Sequence, residues 1–135
     1  MVDEAVRAAK IAAISDAVYR IRQVLPASAA EFASDRTRRE VVLLNLFVAI
    51  QECLSLASHY LADTGRNVPA TYGEVFQALA NEGLITRELS QKLAGAAAFR
   101  NLVAHQYGAI DTARVYAIAS GDLDDLLEFC RALSK

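Results

Sequence analysis

The sequence has few of the residues that interrupt helices. It contains two prolines and six glycines in 135 residues, and no segment shows the apolar–polar alternation of a half-buried β-strand. The apolar residues, 54% of the chain, are mostly alanine and leucine, which favour helices. A chain of this length can bury a proper core. We therefore expect a single all-α domain over residues 1–135.

The chain also lacks a large net charge of either sign, and it has no long apolar run. Its net charge of −2 argues against a strongly basic nucleic-acid-binding protein, although a local basic patch is compatible with it. No apolar run reaches the roughly 18 residues of a membrane span. The start, Met1–Glu4, is acidic and has no signal-peptide core. These features predict a cytoplasmic protein with no membrane partner.

Cysteine and histidine are equally scarce, with two of each. Cys53 and Cys130 have apolar neighbours at helical positions, which predicts buried free thiols in a reducing cytoplasm. No CxxC or HxxxH spacing occurs, so the sequence predicts no metal site. It also gives no sign of a cofactor.

Apolar residues recur at intervals of three and four, and this spacing predicts a series of helices. The predicted helices cover residues 3–25, 35–62, 72–83 and 87–107, followed by one from 111 that breaks near 120–121. Five or so helices with short connections predict an antiparallel helical bundle.

Residues that start or stop helices set these boundaries. Pro26 stops the first helix, and Ser28 and Thr71 begin capping-box sequences. The later boundaries come from two caps and two glycine stops; these are Thr86, Asp111, Gly83 and Gly108.

The helix predicted over residues 35–62 is unusually apolar in its centre. Residues 41–50 are apolar almost all round, as in a helix that is central in a bundle or also packs on a partner. Asn45, Glu52 and His59 recur every seven residues, so they form one stripe that faces water or lines a shared cleft. Glu52 is therefore a candidate supporting residue for a site. The basic start, residues 35–40, is either a solvated first turn or an RNA-backbone contact.

One short segment near the end of the fourth predicted helix concentrates polar chemistry. At about 100° per residue, its apolar side chains share one side of the helix and its polar side chains the other. The apolar set is Phe99, Leu102 and Val103; the polar set is Arg100, Asn101, His105 and Tyr107. Asn101 and His105 are four residues apart, so their side chains can touch. An ordinary exposed helix end, whose basic residues complement the helix dipole, would also fit this pattern.

Arginine and histidine together suit the cleavage of a phosphodiester without a metal. Arginine presents a fixed fork of donors to phosphate, and histidine can move protons near pH 7. In RNA the 2′-hydroxyl supplies the nucleophile, but the reaction needs both a base and an acid. One segment offers only one histidine. A symmetric dimer with two segments facing across its axis would supply two.

These residues resemble the signature of the HEPN ribonucleases, which here reads Arg100-Asn101-x-x-x-His105. The longer form, Arg-x4-His-x-Tyr, is similar to the HepT toxin subfamily and includes Tyr107. Three further segments resemble HepT-like proteins, and the likeness covers roughly residues 35–130. These segments are Gln51–His59, Val68–Phe76 and Gly108–Asp111.

The resemblance implies a homodimeric helical bundle with a metal-independent RNase site at the dimer interface. Arg100 and His105 would be catalytic, and Asn101 would support them. The resemblance also implies the toxin of a type VII-like toxin–antitoxin pair, whose antitoxin is an MntA-type nucleotidyltransferase. That partner would neutralise the toxin by adenylylating Tyr107. If Tyr107 lies on the same edge as Arg100, the added phosphates would occupy the place of the RNA phosphate.

Two other functions fit the sequence. HEPN-like bundles also occur as non-catalytic modules that bind a nucleotide or a nucleotidyltransferase partner. A plain helical scaffold is the third hypothesis, and it requires substitutions at Arg100, His105 and Tyr107 to be silent.

Overall fold

A computed structural model describes residues 2–65 and 67–134. In these two ranges the chain forms seven α-helices and one 3₁₀ turn, without a β-strand. The helices are α1 (Glu4–Val24), α2 (Ala29–Ser34), α3 (Arg36–Asp63), α4 (Tyr72–Asn81), α5 (Arg87–His105), α6 (Thr112–Gly121) and α7 (Leu123–Leu133), and the 3₁₀ turn is Tyr107–Ala109. The predicted all-α bundle is confirmed. There are seven helices rather than about five because α2 forms a separate short helix and Asp122 divides α6 from α7.

Helix α3 is the centre of the bundle. It packs against all six other α-helices, and ten of its residues are buried. The other helices do not cover all of its apolar middle, however, since Leu44 is 62% exposed. The helix is therefore the core of the fold, and one of its apolar side chains remains largely exposed.

Helix α3 is also the one helix among the described residues that is long and apolar enough to cross a membrane. This is a statement of length and composition alone. The central helix of a helical bundle has the same composition because its neighbours surround it. The packing of α3 against every other α-helix explains its hydropathy without a bilayer.

Each of four shorter helices contributes one fully buried phenylalanine to the core. These are Phe32 of α2, Phe76 of α4, Phe99 of α5 and Phe129 of α7, all with 0% exposure. Phe76 and Phe129 meet edge to face with ring centroids 5.7 Å apart. Burying one such side chain contributes about 1.5–3 kcal/mol, so Phe99 fixes the part of α5 that carries Arg100.

The predicted N-terminal caps are mostly confirmed. The side chains of Ser28, Thr86 and Asp111 each accept a hydrogen bond from a backbone N–H in the first turn of the following helix. Thr71 is the exception: α4 begins at Tyr72 as predicted, but the Thr71 side chain makes no cap hydrogen bond. Thr71 is exposed, so water can satisfy the first amide groups of α4.

Gly83 closes α4 in a left-handed conformation, with φ +76°. Its N–H bonds to the Ala80 carbonyl, and the Leu84 N–H bonds to the Leu79 carbonyl, both at 3.0 Å. This is the Schellman arrangement, in which glycine avoids the strain that a side chain would add. The predicted stop at Gly83 is confirmed.

The end of α5 differs from the prediction. The helix ends at His105, and Gln106 leaves helical geometry with φ −137°. The Ala109 N–H then bonds to the Gln106 carbonyl at 2.9 Å and closes the 3₁₀ turn. Gly108 is therefore not the cap of α5, and its φ is not positive. The prediction that α5 reaches Tyr107 was wrong because a 3₁₀ turn, not a left-handed glycine, ends the helix.

Cys53 and Cys130 are free and buried, as predicted. Burial raises the pKa of the Cys53 thiol well above its usual range. It also raises the pKa of the Cys130 thiol to about 11. Both thiols are thus protonated near neutral pH, and neither can act as a nucleophile there.

Candidate active site

The polar segment on α5 is divided between core and surface as the helical spacing predicts. Phe99 is fully buried, Val103 is 8% exposed, and Leu102 is half-buried. On the other side, Arg100 and Asn101 are half-buried and His105 is exposed. The apolar residues therefore hold α5 in the core while the polar residues remain accessible.

The Arg100 guanidinium is fixed by four side chains. Its Nε donates to Gln51 Oε1 at 2.8 Å, and its Nη1 donates to Asn101 Oδ1 at 3.2 Å. Its Cζ lies 5.2 Å from the ring centroid of Phe47 and 4.7 Å from that of Tyr72. Cation–π contacts with two rings restrict the plane of the guanidinium, and the hydrogen bonds restrict its rotation within that plane.

This arrangement leaves one edge of Arg100 available. Among the described residues, no protein group bonds to its Nη2. Two unused N–H donors therefore sit on a guanidinium whose orientation is already set. Such a group can bind a phosphate oxygen with little loss of side-chain entropy.

Asn101 serves Arg100 rather than His105. Its carbonyl oxygen accepts the bond from Arg100 Nη1. The expected contact between Asn101 and His105 does not occur as a hydrogen bond in residues 2–65 and 67–134. Asn101 thus helps to orient the Arg100 guanidinium.

His105 is the last residue of α5, and its side chain is exposed. No hydrogen bond to its ring is formed by the part of the chain that the structure describes. The imidazole is therefore accessible to a bound molecule. The second histidine, His59, is an exposed residue of α3.

Glu52 lies away from the arginine. Its carboxylate pairs with the Lys10 ammonium of α1 at 3.2 Å. Gln51, the preceding residue, is the one that reaches Arg100. Neighbouring residues of a helix point about 100° apart, so α3 directs Glu52 to α1 and Gln51 to α5. Glu52, the candidate supporting residue, thus pairs with Lys10, and the hydrogen bond to Arg100 comes from Gln51.

Tyr107 lies on the 3₁₀ turn after α5, so the helical angle predicted for it does not apply. It is 60% exposed. Its side chain lines a cleft of about 320 Å³ together with Arg36, Arg39 and Glu40 of α3. The prediction that Tyr107 shares a helix face with Arg100 was wrong, since the chain leaves the helix at Gln106.

Acidic residues, cysteines and histidines do not gather into a metal site in the described ranges. No three such side chains there are grouped so that they could hold an ion.

A sequence model of one family, described as ribonuclease HepT-like, matches residues 14–133. The chain belongs to this family. This match confirms the family resemblance that was based on Arg100, His105 and Tyr107. It also confirms the predicted enzyme class, ribonuclease.

Relatives of this HepT-like chain are similar to it both in sequence and in structure. The mRNA nuclease HepT of Shewanella oneidensis is 30% identical over 120 residues, which cover 89% of this chain and 90% of that protein. A toxin–antitoxin complex solved with AMP-PNP contains a chain with TM-score 0.89 and 27% identity, with 97% of this chain and 98% of that chain covered. A tri-AMPylated HEPN toxin of Shewanella oneidensis in complex with MNT antitoxin gives TM-score 0.87 and 28% identity, with 96% of both chains covered.

The HepT-like signature does not contain three of the residues that fix Arg100. Gln51, Phe47 and Tyr72 lie on two other helices, 28 to 53 positions earlier in the chain. Gln51 and Tyr72 do fall within the segments that resemble HepT-like proteins. Phe47 lies outside these segments. In a helix that is apolar almost all round, one further apolar residue is expected to lie in the core, so nothing marked Phe47 as part of a site.

The two neighbouring residues of α3 give a direct test of the Arg100 arrangement. Gln51→Ala removes the acceptor of Arg100 Nε, and we expect the rate of RNA cleavage to fall about tenfold, the effect of one lost charge-assisted hydrogen bond. Glu52→Ala removes only the pair with Lys10 and should leave the rate unchanged. Initial rates on a fluorogenic RNA, with helicity checked by circular dichroism, measure both. Equal rates for Gln51→Ala and the wild type would contradict the orienting contact.

Proposed function

We propose that this HepT-like chain is an endoribonuclease toxin that cleaves RNA without a metal ion. Arg100 stabilises the charge on the reacting phosphate, His105 transfers protons, and Asn101 orients Arg100. The observation that carries this proposal is the Arg100 guanidinium, which is held by four side chains yet keeps Nη2 free. Preorganised donors of this kind stabilise a charged transition state at little reorganisation cost.

In the proposed reaction the RNA 2′-oxygen attacks the adjacent phosphorus. A base takes the 2′-hydroxyl proton as the new P–O bond forms. Charge accumulates on the pentacoordinate phosphorane, where Arg100 Nη2 donates. The bond to the 5′-oxygen then breaks, and an acid gives that oxygen a proton. The products are a 2′,3′-cyclic phosphate and a 5′-hydroxyl, and no water or metal is consumed.

The proposed enzyme is a symmetric homodimer, because the reaction needs a base and an acid while each chain supplies one exposed histidine at the site. The α3 surface supports this assembly. Leu44, Phe47, Val48 and Gln51 share one face of α3 by their spacing of three and four residues. Phe47 and Gln51 contact Arg100, and Leu44 is 62% exposed. Covering Leu44 with a second copy would bring that copy beside Arg100.

We further propose that an MntA-type nucleotidyltransferase neutralises the enzyme by adenylylating Tyr107. The phenol oxygen would attack the α-phosphorus of ATP, forming a P–O bond, releasing pyrophosphate and losing its proton. Two observations support this: Tyr107 is 60% exposed, and the Shewanella toxin in complex with MNT antitoxin is tri-AMPylated. Tyr107 is two residues after His105, so the added nucleotide would place bulk and negative charge next to the proposed catalytic histidine and oppose the approach of RNA.

The proposed place of action is the cytoplasm. Two buried thiols without a disulfide suit a reducing compartment. The proposed RNA substrate is present there as well.

His105→Ala tests the catalytic proposal. We expect cleavage of RNA in EDTA to fall at least about a thousandfold, since a dimer of the variant loses both proton-transfer groups. The wild type should leave 2′,3′-cyclic phosphate ends, detected by mass spectrometry of the fragments. His59→Ala is the matched control and should cleave like the wild type. Full activity of His105→Ala would remove His105 from the mechanism, and a wild type inactive without its partner would favour the non-catalytic module.

Leu44→Glu tests the dimer. A charge at this position should separate the protomers, shift the mass measured by light scattering to one chain, and abolish RNA cleavage while the helicity stays the same. Tyr19→Glu is the control, because Tyr19 is similarly exposed at 63% but belongs to α1. An active, dimeric Leu44→Glu protein would exclude this face of α3 from the interface.

A further inference from the structure

The cleft beside Tyr107 lies between α2, the start of α3, the 3₁₀ turn and the start of α6. Its floor is apolar and formed by buried side chains: Phe32, Leu43 and Val115. Its rim is polar and formed by Arg36, Arg39, Glu40, Tyr107 and Thr112. An apolar floor under a basic rim is suited to a ligand with a flat base and a phosphate.

The two arginines of the rim are differently held. Arg36 Nε bonds to Glu40 Oε1 at 2.7 Å, but the two side chains are 84% and 53% exposed. An exposed ion pair of this kind is weak, so a phosphate can replace Glu40 as the partner of Arg36. Arg39 Nη1 donates to the Ala33 carbonyl. Its Nε and Nη2 bond to no protein group among the described residues, and they remain for a ligand.

Tyr107 and Arg36 line the same cleft. The pKa of Arg36 is raised mainly by its hydrogen bond to Glu40 and, to a smaller extent, by the nearby Tyr107 side chain. A phosphate joined to the Tyr107 oxygen would therefore begin beside a guanidinium. The cleft volume of about 320 Å³ lies at the lower end of the range for small-molecule pockets, which suits one nucleotide.

We infer that this cleft holds the first adenylyl group joined to Tyr107, with Arg36 and Arg39 binding its phosphate and the apolar floor receiving its base. The inference rests on the proposed adenylylation of Tyr107. It assigns the basic first turn of α3 to regulation, where the sequence left a choice between a solvated turn and an RNA contact. A nucleotide held in this way lies against the 3₁₀ turn that follows His105, and its phosphate, bound by two guanidinium groups, is less available to a hydrolytic enzyme.

The test begins with the chain co-expressed with its cognate nucleotidyltransferase. Intact mass should show a gain in units of AMP for the wild type and none for Tyr107→Phe. The purified adenylylated protein is then treated with a phosphodiesterase, and loss of AMP is followed by mass. We expect AMP to leave Arg36→Gln and Arg39→Gln proteins about tenfold faster than the wild type, the factor expected for a lost charge-assisted hydrogen bond.

Arg38→Gln is the matched control. Arg38 is in the same turn and loses the same charge, but it bonds to the Val24 carbonyl and lies outside the cleft. Its AMP should leave at the wild-type rate. The unmodified Arg36 and Arg39 variants should also cleave RNA in EDTA as fast as the unmodified wild type.

Three results would overturn the inference. A wild type that gains no AMP would refute the adenylylation itself, and the inference with it. A mass gain followed by equal loss of AMP from all variants would refute the cleft alone. Weaker RNA cleavage by the unmodified Arg36 and Arg39 variants, with protection of AMP intact, would assign these arginines to RNA.

Discussion

The site depends on the orientation of one guanidinium. Arg100 is held by hydrogen bonds to Gln51 and Asn101 and by contacts with the rings of Phe47 and Tyr72. These groups come from α3, α4 and α5, so the arginine is oriented only when the three helices have packed. The fold therefore does more than support the site: it determines which N–H groups of Arg100 remain for a phosphate.

Helix α3 connects this site to the other functions that we propose. Its 28 residues span about 42 Å at 1.5 Å per residue. The first turn carries the arginines of the cleft beside Tyr107, and the middle carries exposed Leu44. Phe47 and Gln51 then follow at Arg100. One helix thus sets the spacing between the proposed sites of regulation, dimerisation and catalysis, and its packing against every other α-helix keeps that spacing fixed.

Much of the fold was readable from the sequence because local rules decide it. Periodic apolar residues marked the helices, and Ser28, Thr86 and Asp111 marked their starts through hydrogen bonds within four residues. The end of α5 was misjudged because a glycine at position 108 suggested a cap that the chain does not use. Whether a helix closes through a left-handed glycine or a 3₁₀ turn depends on the packing after it, which local sequence does not contain.

The candidate site was proposed from the chemistry of its residues, and its contacts were not predicted. Arg100, Asn101 and His105 were recognisable because their types and spacing suit phosphodiester cleavage. Whether Gln51 or Glu52 faces Arg100 depends on how α3 is rotated relative to α1 and α5. A rotation of α3 by one residue position would exchange the directions of the two side chains. Tyr107 and Arg36 line one cleft although they are 71 positions apart in the sequence, so no local pattern could indicate that they lie close together.

The most direct measurement is the rate of RNA cleavage in EDTA by Arg100→Lys. Lysine keeps the positive charge but has neither the planar fork nor the double ring contact of arginine. If the orientation of the guanidinium is what matters, cleavage falls about a hundredfold, the effect of losing one fixed donor to a transition-state oxygen, while helicity is unchanged. Cleavage at the wild-type rate would mean that positive charge alone suffices, and it would contradict the account.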